Sequence, residues 1–134
     1  MEKRNIHLQK KYAEIEENEV RFEELHCEDA EYLIVAFGSC ARIAQKAMEI
    51  AREEGIKVGS LRPITLWPFP SKAIAARAAQ VKGILTVELN AGQMVEDVRL
   101  AVECKVPVEH FGRLGGIVPD PDEVITALKE KLIK

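Results

Sequence analysis

The chain is short of nearly every feature that marks a common functional class. No apolar run approaches the roughly 18 residues a membrane helix needs. The opening stretch MEKRNIHLQKKYAEIEE is charged and amphipathic, unlike a signal peptide. Cysteine is scarce: Cys27, Cys40 and Cys104 are odd in number and far apart, with no CxxC pair. That excludes a disulfide framework and argues against a zinc or iron–sulfur site, so a reducing, cytoplasmic setting is expected. The three histidines, His7, His26 and His110, show no HxxxH spacing, so no metal site is expected. Neither sign of charge dominates, with 19 basic and 22 acidic residues and a net charge of -3. Nothing therefore draws the chain to nucleic acid or to an anionic membrane. No complete glycine-rich nucleotide loop occurs, and no serine sits in a nucleophile elbow.

What is there fits one soluble α/β domain. Hydrophobic residues make up 47% of the 134 and charged residues 31%, and a chain of this length buries roughly two thirds of its unfolded surface. Residues 1–31 lead into the domain. Leu8, Tyr12 and Ile15 have helical spacing, which predicts an amphipathic helix over about 3–17, and NEVRFEEL alternates like a short half-buried strand. From Tyr32 to Lys134 the pattern is regular. The apolar runs YLIVAFG, IKVGSLR, ILTVEL and VPVEHF are separated by helical stretches of 10–15 residues, giving β-α-β-α-β-α-β-α. Such an order implies crossover units and a parallel sheet covered on both faces. Ser39 and Ser71 are expected to cap their helices, and Asp120, Pro121 and Glu123 form a capping pattern for the last one.

Function in such sheets gathers beyond the carboxyl ends of the strands. Four loops qualify: GSC at 38–40, PITLWPFP at 63–70, NAGQ at 90–93 and GRLGG at 112–116. Gly38 and Ser39 open a helix, where free N–H groups hold an anion or merely complete a tight turn and a cap. Cys40 begins the same helix, but a nucleophilic thiolate needs a base such as His110 and a third group to orient it, so an inert buried thiol is the simpler reading. Glu88 ends an apolar strand and needs a partner, for which Arg62 and Arg113 are the candidates. With Asn90 and Gln93 it forms either a rim-bracing ion pair or a polar patch facing a ligand or another domain.

LRPITLWPFP holds half of the six prolines and the one tryptophan. Residues before proline are pushed toward extended backbone. Trp67 and Phe69 thus sit on a stiff arm, which either folds back on its own domain or anchors another, a task that suits tryptophan.

Taken in order, LIVAFGS, VGSLRPITLWPFP, TVELNAGQMVEDVR and GRLGGIVPDPDEV resemble the C-terminal part of the α subunit of 2-oxoacid:ferredoxin oxidoreductases, over roughly residues 29–130. The resemblance implies a transketolase C-terminal-like fold. That is a three-layer α/β/α domain with a mostly parallel five-stranded sheet, in which EVRFEEL supplies the antiparallel strand. It implies an enzyme that oxidises a 2-oxoacid, joins the acyl group to coenzyme A and reduces ferredoxin. Thiamine diphosphate, magnesium and iron–sulfur clusters are implied for the whole enzyme and none for this chain, which is expected to be inactive alone. Implied partners are the N-terminal pyrimidine-binding domain of the α subunit, the β subunit and other subunits, and indirectly ferredoxin. Arg62, Trp67, Phe69, Glu88, Asn90, Gln93 and Arg113 are the expected interdomain or subunit contacts, and Gly38 with Ser39 a possible anion site. The missing larger N-terminal domain is expected to make this a fragment or a separately encoded piece. The alternatives are a C-terminal domain of transketolase or of a 2-oxoacid dehydrogenase β subunit, and a freestanding anion-binding α/β domain.

Overall fold

The apolar runs become strands because their β-branched and aliphatic residues fill both faces of a covered sheet. The computed structural model describes residues 1–133. Its elements in chain order are α1 (Glu2–Asn18), β1 (Phe22–Leu25), β2 (Tyr32–Ala36), α2 (Ser39–Glu53), β3 (Val58–Pro63), α3 (Ser71–Ala78), β4 (Gly83–Glu88), α4 (Met94–Val102), β5 (Val108–Gly112) and α5 (Pro121–Leu132). The strands form one sheet in the order β1-β3-β2-β4-β5. β3, β2, β4 and β5 run parallel, and β1 lies antiparallel on β3 with Glu23 opposite Arg62 and Leu25 opposite Ser60.

Alternation along the strands divides the core in two. Ile34, Ala36, Val58, Leu85 and Val87 pack under α2 and α5. Leu33, Val35, Leu61 and Ile84 pack under α3 and α4. Each of these aliphatic side chains contributes about 1.5–3 kcal/mol by leaving water. The result is the expected three-layer α/β/α domain, and the EVRFEEL segment supplies its antiparallel strand.

Two helix starts differ from expectation. Ser39 is already helical, and the N-cap of α2 is Gly38, at φ 59 and ψ -137, with no side chain bonding the first turn. Ser71 likewise lies inside α3, whose N-cap is Pro70. In both cases a tight turn sets the helix one residue early, so the serine hydroxyl no longer faces the free N–H groups. At α5 the capping box forms: Asp120 accepts from Asp122 N at 3.0 Å, and Glu123 accepts from Asp120 N at 2.9 Å. α1 stands apart. None of its residues is buried, and Tyr12 meets the Trp67 ring edge-on with centroids 5.9 Å apart.

Candidate functional site at the carboxyl rim of the sheet

Parallel pairing sends the chain out of β2, β3, β4 and β5 at one edge of the sheet. The four loops therefore share a rim. Its centre is Glu88, 1% exposed at the end of β4. Oε1 accepts from Met94 N at 2.8 Å, Asn90 Nδ2 at 3.2 Å and Gln93 N at 3.3 Å. Oε2 accepts from Val95 N at 3.1 Å and lies 3.3 Å from His110 Nδ1. These amides are the start of α4, so a carboxylate from the preceding strand does the work of a capping side chain. A negative charge there satisfies orphan donors and meets the positive end of the helix dipole.

Arg62 and Arg113 are not the partners of Glu88. Arg62 is tied to Glu23 on the neighbouring edge strand, Nε to Oε2 at 3.0 Å, and Arg113 Nη1 donates to Glu123 Oε1 at 2.8 Å. Both arginines project toward the α2 and α5 side, whereas Glu88 faces α4. Strand parity decides this: Leu61 is level with Val35 and Thr86, and Gly112 with Glu88, so Arg62 and Arg113, each one residue further on, take the opposite face, which a count of rim residues does not show.

His110 completes the cluster. Its Nε2 lies 3.3 Å from the Asn90 carbonyl, which only accepts, and its Nδ1 lies 3.2 Å from Thr86 Oγ1. Asn90 is further held by Gly92 N, which donates to its Oδ1 at 2.7 Å. His110 packs on the α4 face and Cys40 on the α2 face, so the two never meet. Burial pushes the Cys40 thiol up, and the charge of Glu88 pushes it further. Cys27 is raised by burial and then by the Glu24 carboxylate. Both are disfavoured as thiolates. We expect one rapid thiol labelling event in native protein, at the exposed Cys104, and two more only on denaturation. Rapid labelling of Cys40, located by peptide mass spectrometry, would contradict this packing. With Cys27 and Cys40 in different cores, the three thiols do not converge to hold an iron–sulfur cluster. No helix among the described residues is long and apolar enough to cross a membrane.

The rest of the rim is apolar and open. Trp67 is 57% exposed, meets Tyr12 edge-on, and is joined to the following Pro68 by a cis peptide bond. Phe69 differs from its neighbour on the arm: it is half-buried against the core beneath α3 and α4. Ile64, Leu66, Leu89, Leu114, Ile117 and Val118 are all exposed on the same loops. Sequence reasoning missed these six. Large aliphatic residues inside Gly- and Pro-rich loops were the available signal. Gln93 is exposed, as are Gly38 and Ser39, at the far end of the rim.

Residues 30–124 match the family model described as pyruvate:ferredoxin oxidoreductase core domain II. Over 130 residues, 97% of the chain, it is 48% identical to ketoisovalerate oxidoreductase subunit VorB of Methanothermobacter thermautotrophicus. The chain spans 37% of that relative's length. Among solved structures, 2-oxoglutarate:ferredoxin oxidoreductase from Magnetococcus marinus, bound to 2-oxoglutarate, coenzyme A and succinyl-CoA, matches 82% of this chain and 19% of its own, with TM-score 0.72 and 28% identity. A split-gene transketolase shares the fold, at TM-score 0.69 and 18% identity over 83% of this chain and 41% of its own.

Proposed function

Because the chain belongs to the pyruvate:ferredoxin oxidoreductase core domain II family, we propose that it is the non-catalytic C-terminal domain of a 2-oxoacid:ferredoxin oxidoreductase α subunit. Its fold is transketolase C-terminal-like. In this reading the domain supports assembly, and oxidative decarboxylation of a 2-oxoacid to an acyl-CoA takes place in the rest of the enzyme. Thiamine diphosphate, magnesium, the iron–sulfur clusters and the path to ferredoxin belong there too. The occupant of the rim is the pyrimidine-binding N-terminal domain of the same α subunit, with the β subunit beyond it.

The open apolar rim carries the reading. Seven large apolar side chains, Trp67 among them, stand exposed on loops at one sheet edge. Large apolar side chains exposed together on the loops at one end of a sheet, with polar groups among them, support an interaction site there. Arg62 and Gln93 are the polar side chains placed to contact the docked domain, whereas Glu88, Asn90 and Arg113 act by holding the loops in shape.

The test is capture of tagged chain from its host's extract under anaerobic conditions, with mass spectrometry of what accompanies it. The expected companion carries a thiamine site and clusters, and the captured material reduces a viologen dye when given a 2-oxoacid and coenzyme A. Thiamine-dependent turnover by the isolated chain would refute the reading. Once the companion is in hand, Trp67→Ala is expected to weaken its binding by about 30-fold, the effect of losing a tryptophan anchor worth about 2 kcal/mol. The melting temperature of the free chain should stay within about 2 °C, since surface substitutions rarely cost more than about 0.5 kcal/mol. Unchanged binding affinity would remove Trp67 from the interface.

A further inference from the structure

A cavity of ≈ 830 Å³ opens between the start of α2 and the β1–β3 edge, lined by Gly38, Ser39, Arg42, Ser60, Arg62 and Glu23 among others. That volume lies within the range of small-molecule sites. Three features of its wall await a partner. The first is the start of α2, a helix of 15 residues whose first turn receives no side-chain acceptor. α4 and α5, by contrast, begin on the carboxylates of Glu88 and Asp120. Gly38 also leaves the approach clear, because a Cβ built there meets nothing within 4 Å.

The second feature is Ser60, only 6% exposed. It lies level with Leu25 and Ile34 on the α2 face of the sheet, so its side chain points at the cavity. The one side-chain hydrogen bond that Ser60 joins uses its carbonyl, which accepts from Cys27 Sγ at 3.4 Å. Its hydroxyl has no protein partner among the described residues. No sealed polar side-chain atom lacks a partner, so this hydroxyl is served through the cavity. A group this buried is costly to leave unpaired.

The third is charge. Arg42 forms no ion pair or side-chain hydrogen bond among the described residues, and Arg62 shares its charge with Glu23. The wall therefore keeps one uncompensated guanidinium beside a positive helix end.

We propose that this cavity binds the phosphate group of a small phosphorylated molecule, held by the first amides of α2, the Arg42 guanidinium and the Ser60 hydroxyl. A phosphate has the acceptor oxygens to engage all three, and helix starts and arginine are suited to it. Phosphate alone does not fill the space, which leaves room for an organic body. The inference does not rest on the docking reading: the cavity borders the rim and shares Arg62 with it, but the groups assigned to the phosphate, the first amides of α2, Arg42 and Ser60, are none of the exposed apolar side chains that carry that reading.

Amide NMR of the ¹⁵N-labelled protein tests it, with inorganic phosphate and phenyl phosphate titrated at constant ionic strength against a chloride control. Saturable shifts confined to residues 38–42 and Ser60 are expected. Arg42→Ala and Ser60→Ala should each weaken binding by about tenfold, the effect of one lost charge-assisted hydrogen bond. Tighter binding of phenyl phosphate supports recognition of an organic ester, and equal binding supports inorganic phosphate as the ligand. Shifts scattered over surface lysines without saturation, or unchanged affinity in either variant while its spectrum stays folded, would overturn the proposal. Arg42→Lys, which keeps charge but loses the fork, should restore part of the affinity. Failure here leaves the capture result unaffected.

Discussion

Glu88→Ala is expected to lower the melting temperature of this protein by about 12 °C, taking about 3 kcal/mol at about 4 °C per kcal/mol for a chain of this size. The loss has two sources. The amides of Gln93, Met94 and Val95 lose their acceptor, and Met94 and Val95 are buried, so water does not replace it fully. The side chain also leaves a cavity at a position 1% exposed. Glu88→Gln keeps the shape and one acceptor oxygen, and should cost about 1–2 kcal/mol, since the charge-assisted part of the bonding is lost. Thermal unfolding by circular dichroism measures both. An alanine variant that melts within 2 °C of the native protein would mean that α4 holds its first turn by other means.

Gly112→Ala should cost about 3 kcal/mol, the upper end for an added methyl in a packed site. Its backbone sits in ordinary strand geometry at the end of β5, so the cause is space alone. A Cβ there would overlap the Asn90 carbonyl oxygen and lie 2.6 Å from His110 Nε2. The carbonyl is backbone and does not swing aside as a side chain does. The clash therefore displaces the Asn90 loop and the imidazole together, and with them the donors around Glu88. Adding His110→Ala to Gly112→Ala should recover only part of the loss, because the Asn90 contact remains. Full recovery in the double variant, measured by denaturant unfolding, would show that the imidazole alone fills the space.

These two sites were unequally visible beforehand. Glu88 attracts notice as a carboxylate ending the apolar run ILTVEL, but its partners do not. Its acceptor role depends on amides five to seven positions on, and on a histidine 22 positions away in the neighbouring strand. Gly112 gives no warning in sequence, because one glycine in a GRLGG loop looks like any turn. The split within the LWPFP arm was also hidden. Trp67 and Phe69 have the same parity and similar chemistry, yet one stands open beside Tyr12 and the other is drawn under α3 and α4.

The sequence by itself determined the order of strands and helices, the covered parallel sheet, the capping box at Asp120 and the family. These depend on local periodicity, on turn residues and on motifs contiguous in the chain. Tertiary structure alone decided the partner of Glu88, the pairing of Arg62 with Glu23, the exposure of the rim and the unpaired hydroxyl of Ser60. Each of those follows from which face a side chain takes in a sheet whose neighbouring strands are far apart in the chain. Periodicity records burial along one strand, but contacts between strands depend on register and crossover, and these are set only when the layers close.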